Sequence, residues 1–379
     1  MDTLNKNLEK DNSLPEKKYK VKIHYYVIVS MVFILISLIL FFWIYLLFNP
    51  GNNKINSLFN KLSVDFSKEN LIKAKKDLNL VSRVIDGMLV EKGSENIFPT
   101  TVMIDNHTDA RPPSALAKAQ LVFETEAEGG ITRYLAIFAS NEKIEKIGPI
   151  RSARPYFIDW AREFSPLFVH VGGSPEALVK LNKENILHLN EFYNEDYFWR
   201  DKTQGAPHNV YTSSEFLEKY LNNKNLVQGS YFSWEYKDDK IFSGQNQDLT
   251  IKVNFNLPKY IVEWKYDSNS NGFVRYLDSS VHKTTEGDII TAKNIIIQYI
   301  ESWEIDDELR LKVENIGSGD AVVCLDGECA PAYWKKNNSS ARTRFYEKNS
   351  NYEKVGAELK FNRGTTWIEA VNPEIIVEY

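Results

Sequence analysis

The sequence predicts an α+β fold: a single N-terminal transmembrane helix, then an α/β mixed-sheet domain, then a C-terminal, mostly antiparallel β domain. Three observations predict it. An uncharged apolar run extends from Tyr25 to Phe48, short apolar strands mix with helical stretches from Pro99 to about Leu221, and a period-two alternation takes over after Gln228. The resulting divisions are a cytoplasmic tail at 1–24, the spanning helix at 25–48, a juxtamembrane stem at 49–97, the α/β domain at 98–225 and the β-rich domain at 226–379.

The apolar run justifies the first element. As a helix it would be about 36 Å long at 1.5 Å per residue, against roughly 30 Å of hydrocarbon. No Asp, Lys or Arg within it opposes insertion. Lys17, Lys18, Lys20 and Lys22 precede it, so the N-terminus is expected in the cytoplasm and the bulk of the chain outside. A cleaved signal peptide would have a shorter apolar region and a small-residue cleavage site, which does not follow Phe48. The partner implied is the lipid bilayer itself, and the location a single-pass cell-membrane protein with extracytoplasmic domains.

In the stem, Leu71, Leu78, Val81 and Ile85 recur near helical spacing, which predicts a helix serving as a spacer. The α/β region should carry strands at Thr101–Ile104, Leu121–Glu126, Tyr134–Ala139 and Leu167–Val171 and a helix over Tyr156–Glu163. Ser174-Pro175-Glu176 is a helix start, with Ser as N-cap and Pro at the first helical position. In the β region, Leu249, Ile251, Val253, Phe255 and Leu257 share one strand face, and further strands are expected at Asn294–Ile300, Leu309–Glu314, Ala321–Leu325, Trp367–Val371 and Ile375–Glu378. Asn222–Asn225 and Lys335–Asn338 read as solvated loops.

The chain has two cysteines, in Cys324-Leu325-Asp326-Gly327-Glu328-Cys329. Asp-Gly predicts a two-residue type I′ hairpin turn flanked by Leu325 and Glu328. The cysteines then face each other one pair further on, about 4.5 Å apart at Cα, within reach of a disulfide if the compartment is oxidising. Free thiols are the alternative; a metal site is disfavoured, since two thiols with no nearby His make half a zinc shell.

Basic and acidic residues number 46 and 51, a net charge of −5, which excludes nucleic acid as the expected partner. An anionic ligand would need a local basic site. Phe123 to Arg133 places Glu124, Glu126 and Glu128 on one strand face, a carboxylate row that is either solvated or functional. Arg133 follows, and Gly148–Pro155 carries Arg151 and Arg154 in a Gly/Pro-bounded turn, where guanidiniums suit carboxylate or phosphate. The arginines either pair with the acids or bind an external anion while Glu126 and Glu128 hold a divalent cation such as Mg²⁺. The second combination is what phosphoryl or pyrophosphate recognition requires.

His170, Gly172, Gly173 and Ser174 form a strand end opening into a helix, where backbone N–H groups can hold an anion or simply make a turn. Asp105, in Asp105-Asn106-His107, and His208, in Ala206-Pro207-His208-Asn209, are the acid/base candidates if chemistry occurs. No nucleophile elbow, P-loop, dinucleotide fingerprint or HExxH motif is present.

Taken together, Val102–Asn106, Ala110-Arg111-Pro112, Glu128–Arg133, Ile147–Tyr156, His170–Ala177, Phe198-Trp199-Arg200, Pro207-His208-Asn209, Arg342–Phe345 and Gly364–Glu369 resemble the YerB-like, or DUF3048, family of bacterial envelope proteins of unknown function. The resemblance runs from Pro99 onward and implies paired N- and C-terminal family regions. Many members look like lipoproteins, whereas this chain has no lipobox cysteine. Over Gly129 to Leu178 the chain is also faintly similar to the LytR-CpsA-Psr phosphotransferases, although the Arg-Asp pair of their turn is missing.

Two functions follow as expectations. One is an envelope protein that binds a phosphate- or pyrophosphate-bearing ligand, lipid-linked or part of the wall, through Arg133, Arg151 and Arg154; if an enzyme, it would be phosphotransferase-like. The other is a non-catalytic interaction or scaffold module whose Arg/Glu set is a structural ion-pair network.

Overall fold

The computed structural model describes residues 79–239, 248–348 and 354–379. The predicted tail, the span at 25–48 and most of the stem lie outside the described residues. Among the described residues no helix is long and apolar enough to cross a membrane.

Eleven strands make the central sheet: β1 (Thr100–Asp105), β2 (Leu121–Glu128), β3 (Ile131–Phe138), β4 (Leu167–His170), β5 (His188–Asn190), β6 (Asn294–Tyr299), β7 (Gly317–Leu325), β8 (Glu328–Lys336), β9 (Arg344–Lys348), β10 (Lys354–Glu358) and β11 (Thr366–Val371). Their order is β10-β9-β8-β7-β6-β11-β2-β3-β1-β4-β5. The run β6, β11, β2 is parallel, as is β1, β4, β5. Strand β3 lies antiparallel between β2 and β1, and β7 to β10 continue from β6 as antiparallel neighbours.

Two consequences follow. The C-terminal ends of β1, β2 and β4 share one rim, the edge where ligands bind in open α/β sheets. The sheet also draws on both halves of the chain, because β11 from the second inserts between β6 and β2. Its neighbours on both sides are parallel, unlike the antiparallel setting expected for Trp367–Val371. A strand covered on both faces reads as continuous apolar sequence, and β1 and β11 are buried at every residue.

One face is covered by helices α1 (Pro155–Ala161) and α2 (Pro175–Lys183). Phe157, Trp160 and Leu181 share a buried cluster there with Met103, Phe123 and Leu135, and each such side chain stabilises by roughly 1.5–3 kcal/mol. Ser174 caps α2 as its sequence predicts, accepting from the Ala177 N–H at 3.3 Å. The other face is covered by a six-stranded sheet that includes Thr250–Asn254, Ile261–Asp267 and Gly272–Leu277. Ile251, Val253 and Phe255 are fully buried there, on the face their alternation marked. Helix α3 (Ser214–Asn223) adds Leu217 and Leu221 to that core.

The cysteine hairpin forms in the expected register, with Leu325 opposite Glu328 and Cys324 opposite Cys329. Asp326 and Gly327 both have positive φ, as a type I′ turn requires. The two cysteines are disulfide-bonded, with Cα atoms 4.0 Å apart.

Three local expectations are corrected. Leu80–Ser82 and Leu89–Glu91 pair as antiparallel strands where the stem was expected helical, because Asp86-Gly87 turns the chain and Gly87 adopts φ +70°; Leu71 and Leu78 lie outside the described residues. Asn222 and Asn223 close α3 rather than a loop. Lys336, read as solvated, ends β8 wholly buried, 2.9 Å from Glu163.

Candidate functional site

The Glu row does not form a solvated edge. β2 is a central strand, so Glu124 is fully buried and bonds Arg275 of the second sheet at 2.6 Å, with Thr132 Oγ1 donating to its other oxygen at 2.8 Å. A bulge between Glu126 and Glu128 then breaks the shared face. Burial, reinforced by the charge of Glu304, raises the Glu126 pKa to about 7. Glu128 accepts from Arg133 at 2.6 Å and from Arg154 at 2.9 Å. Burial pushes Glu128 up, but the two arginines outweigh it and hold the carboxyl below its ordinary range.

Arg133 lies near the start of β3, and its Nη1 also donates to the Ser152 carbonyl at 3.1 Å. Its Nε is buried and meets no acceptor among the described residues. Arg151 lies across Asp105, Nε to Oδ2 3.1 Å, and its side chain keeps 20 % exposure, against 11 % for Arg154. Burial lowers the pKa of Arg151; Asp105 opposes the fall and Arg133 adds to it. Burial and Arg133 likewise lower Arg154. Three guanidiniums therefore share two carboxylates, Glu128 and Asp105, beside solvent.

Asp105 ends β1 and is buried. It accepts from His208 Nδ1 at 2.7 Å and, through its other oxygen, from the His107 backbone N–H at 2.9 Å. The rings of His107 and His208 stack with centroids 4.5 Å apart. Both acid/base candidates thus meet, across 103 positions of sequence, with Arg151 on the same carboxylate.

His170 is fully buried. Its Nδ1 donates to the Gly172 carbonyl at 2.6 Å and its Nε2 faces His188 Nδ1 at 3.0 Å. Burial lowers its pKa to about 4, the Gly172 carbonyl opposing and His188 adding. The N–H groups at the start of α2 are also engaged: Gly172 donates to Asn190 Oδ1 at 3.0 Å and Ser174 to the Ala153 carbonyl at 3.2 Å. Gly173 packs against Ala153, whose Cβ lies 3.2 Å from where a side chain would begin.

Arg154 also borders a cleft of about 370 Å³ lined by Tyr156, Ser174, Arg310, Leu311 and Val313. A second cavity, of about 380 Å³, lies among Phe98, Phe138, Ile147, Leu217 and Leu221, away from every candidate residue. Among the described residues, the grouping of three His, Asp or Glu whose ligand atoms converge is His107, Asp109 and His208, not the Glu126 and Glu128 pair. Of these, Asp109 and Glu304 carry no sequence signal of their own, because each becomes interesting only through a neighbour distant along the chain.

A mixed sheet covered by helices and a second sheet, with Arg, Asp and His gathered at its rim, is the architecture on which the family models fall. The description "Protein of unknown function (DUF3048) N-terminal domain" matches residues 86–227, and its C-terminal counterpart matches 251–368. The chain belongs to the DUF3048 family. It is 30 % identical over 294 residues to YerB of Bacillus subtilis (strain 168), whose name marks it a candidate lipoprotein; the match covers 76 % of this chain and 85 % of YerB. The crystal structure of the YerB protein from Bacillus subtilis superposes with a TM-score of 0.69 at 29 % identity, covering 79 % of this chain and all of that one.

Proposed function

We propose that this chain is an extracytoplasmic envelope protein that binds a phosphate- or pyrophosphate-bearing ligand at Arg133, Arg151 and Arg154. The observation that carries the reading is the shortage of counter-charge. Three guanidiniums share two carboxylates, two of the three have pKa values lowered by burial, and the buried Nε of Arg133 is left without an acceptor among the described residues. An added anion would supply what is missing, and bidentate guanidinium contacts favour phosphate oxygens. The cleft beyond Arg154 offers room for the rest of such a ligand. Should the ligand react with no metal on His208 Nε2, the Asp105–His208 pair stands beside Arg151 to move a proton.

The envelope location is supported by the apolar run at 25–48, by the disulfide, and by the lipoprotein description of YerB. The relative and this chain would then reach the same surface by different anchors.

The test uses the full chain in detergent. Calorimetric titration with inorganic pyrophosphate should show saturable binding that weakens at least about tenfold, some 1.4 kcal/mol, in Arg151→Ala/Arg154→Ala. Mass spectrometry of co-purifying lipids and glycans identifies the natural anion. Wild type that binds no pyrophosphate and carries no anion would overturn the reading. It would favour the interaction module instead, a reading that rests on Glu128 already bridging Arg133 and Arg154.

A further inference from the structure

Independently of the anion, we infer that His107, Asp109 and His208 bind one divalent transition-metal ion, with Zn²⁺ the best fit. Their ligand atoms all lie within 4.8 Å of one another. The three come from two separate segments, one the short 3-10 turn at Thr108–Ala110 that follows β1, the other the loop after cis-Pro207.

The arrangement around His208 is the second observation. Its Nδ1 donates to the buried carboxylate of Asp105 at 2.7 Å, which leaves Nε2 as the ring nitrogen not taken by that bond. A carboxylate behind a histidine in this way fixes tautomer and ring orientation and makes the far nitrogen a better ligand. The same carboxylate holds the backbone of His107, through its N–H at 2.9 Å, while the His107 ring accepts from the Asp109 backbone N–H at 3.2 Å. The rings of His107 and His208 stack 16° from parallel.

Donor chemistry selects the ion. Two imidazoles and one carboxylate suit Zn²⁺ and its first-row neighbours, whereas Mg²⁺ and Ca²⁺ favour all-oxygen shells. Three protein ligands leave a coordination position for water or ligand, as in zinc sites that act on substrates. Entry from solvent is open, since the side chains of His107 and Asp109 are 33 % and 74 % exposed. Arg151 is held by Asp105, and Asp109 supplies negative charge at the metal site.

Co²⁺ is the probe, added to the full chain in detergent after chelator treatment and without phosphate. One equivalent should bind, produce visible absorption bands, and be displaced by Zn²⁺. His107→Ala and His208→Ala should each abolish the bands, while Asp105→Asn, a positioning change, should weaken binding about 10- to 100-fold and leave the bands at saturation. Because Asp105 is buried, its variant is read only alongside its unfolding midpoint; His107→Ala, at a partly exposed ring, carries the test by itself. Wild type that binds no more Co²⁺ than His107→Ala overturns the inference. That result would leave the pyrophosphate titration untouched, so the two proposals fail separately.

Discussion

Glu124, Arg275 and Glu369 show how little of a residue's role its sequence neighbours reveal. Arg275 is fully buried against Glu124, while Glu369, also buried, accepts from Trp264 Nε1 at 2.8 Å. Burial and the nearby Glu124 push the Glu369 carboxyl well above its ordinary pKa. Removing the one guanidinium would leave Glu124 without its ion partner beside a second carboxyl. Arg275→Leu should therefore lower stability by about 3–5 kcal/mol in urea denaturation. Glu126 makes a pH prediction. Its folded pKa, raised from 4.5 to about 7, means the folded chain holds a proton that the unfolded chain releases, so stability falls as pH rises from about 4.5 to 7. The loss is at most about 3 kcal/mol. Glu126→Gln should flatten that segment of the stability profile measured by denaturation between pH 5 and 8, and an unchanged slope would count against the assignment.

Elements were more legible than single residues, since caps, turns and alternation are local chemistry. Ser174-Pro175 started α2 as its residue types require, and Ser174→Ala should cost about 1 kcal/mol, read from the thermal midpoint. Asp326-Gly327 set the hairpin register that joins Cys324 to Cys329. Closing so short a loop contributes about 2 kcal/mol by the chain-entropy account, so reduction should lower the unfolding free energy read from a denaturation curve by that amount and leave the far-ultraviolet circular dichroism unchanged. Where local pattern misled, a distant partner had overridden it. Lys336 looked solvated among Lys and Asn, yet Glu163 draws it into the core together with Arg342, 2.6 Å away on the same carboxylate. Val81 fell at helical spacing, but Asp86-Gly87 folded its segment into a hairpin.

At the scale of the described molecule, β11 joins the two family regions by pairing with β6 on one side and β2 on the other. The two regions should consequently unfold as one cooperative unit. Calorimetry on the full chain should give a single transition over them, and truncation before Thr366 should abolish it; two separate transitions would contradict the shared sheet. The sequence alone determined where α2 begins, which face of Thr250–Asn254 is apolar, the hairpin register that sets the cysteines opposite each other, and which Arg, Asp and His carry chemical promise, because period, capping and turn preference act over a few neighbouring residues. Only the tertiary structure decided that Asp105 meets His208, that Glu124 pairs with Arg275 while Glu128 pairs with Arg133 and Arg154, and that β11 pairs with a strand 245 positions earlier. Those contacts depend on burial and long-range pairing, whose energies appear only after distant segments are brought together.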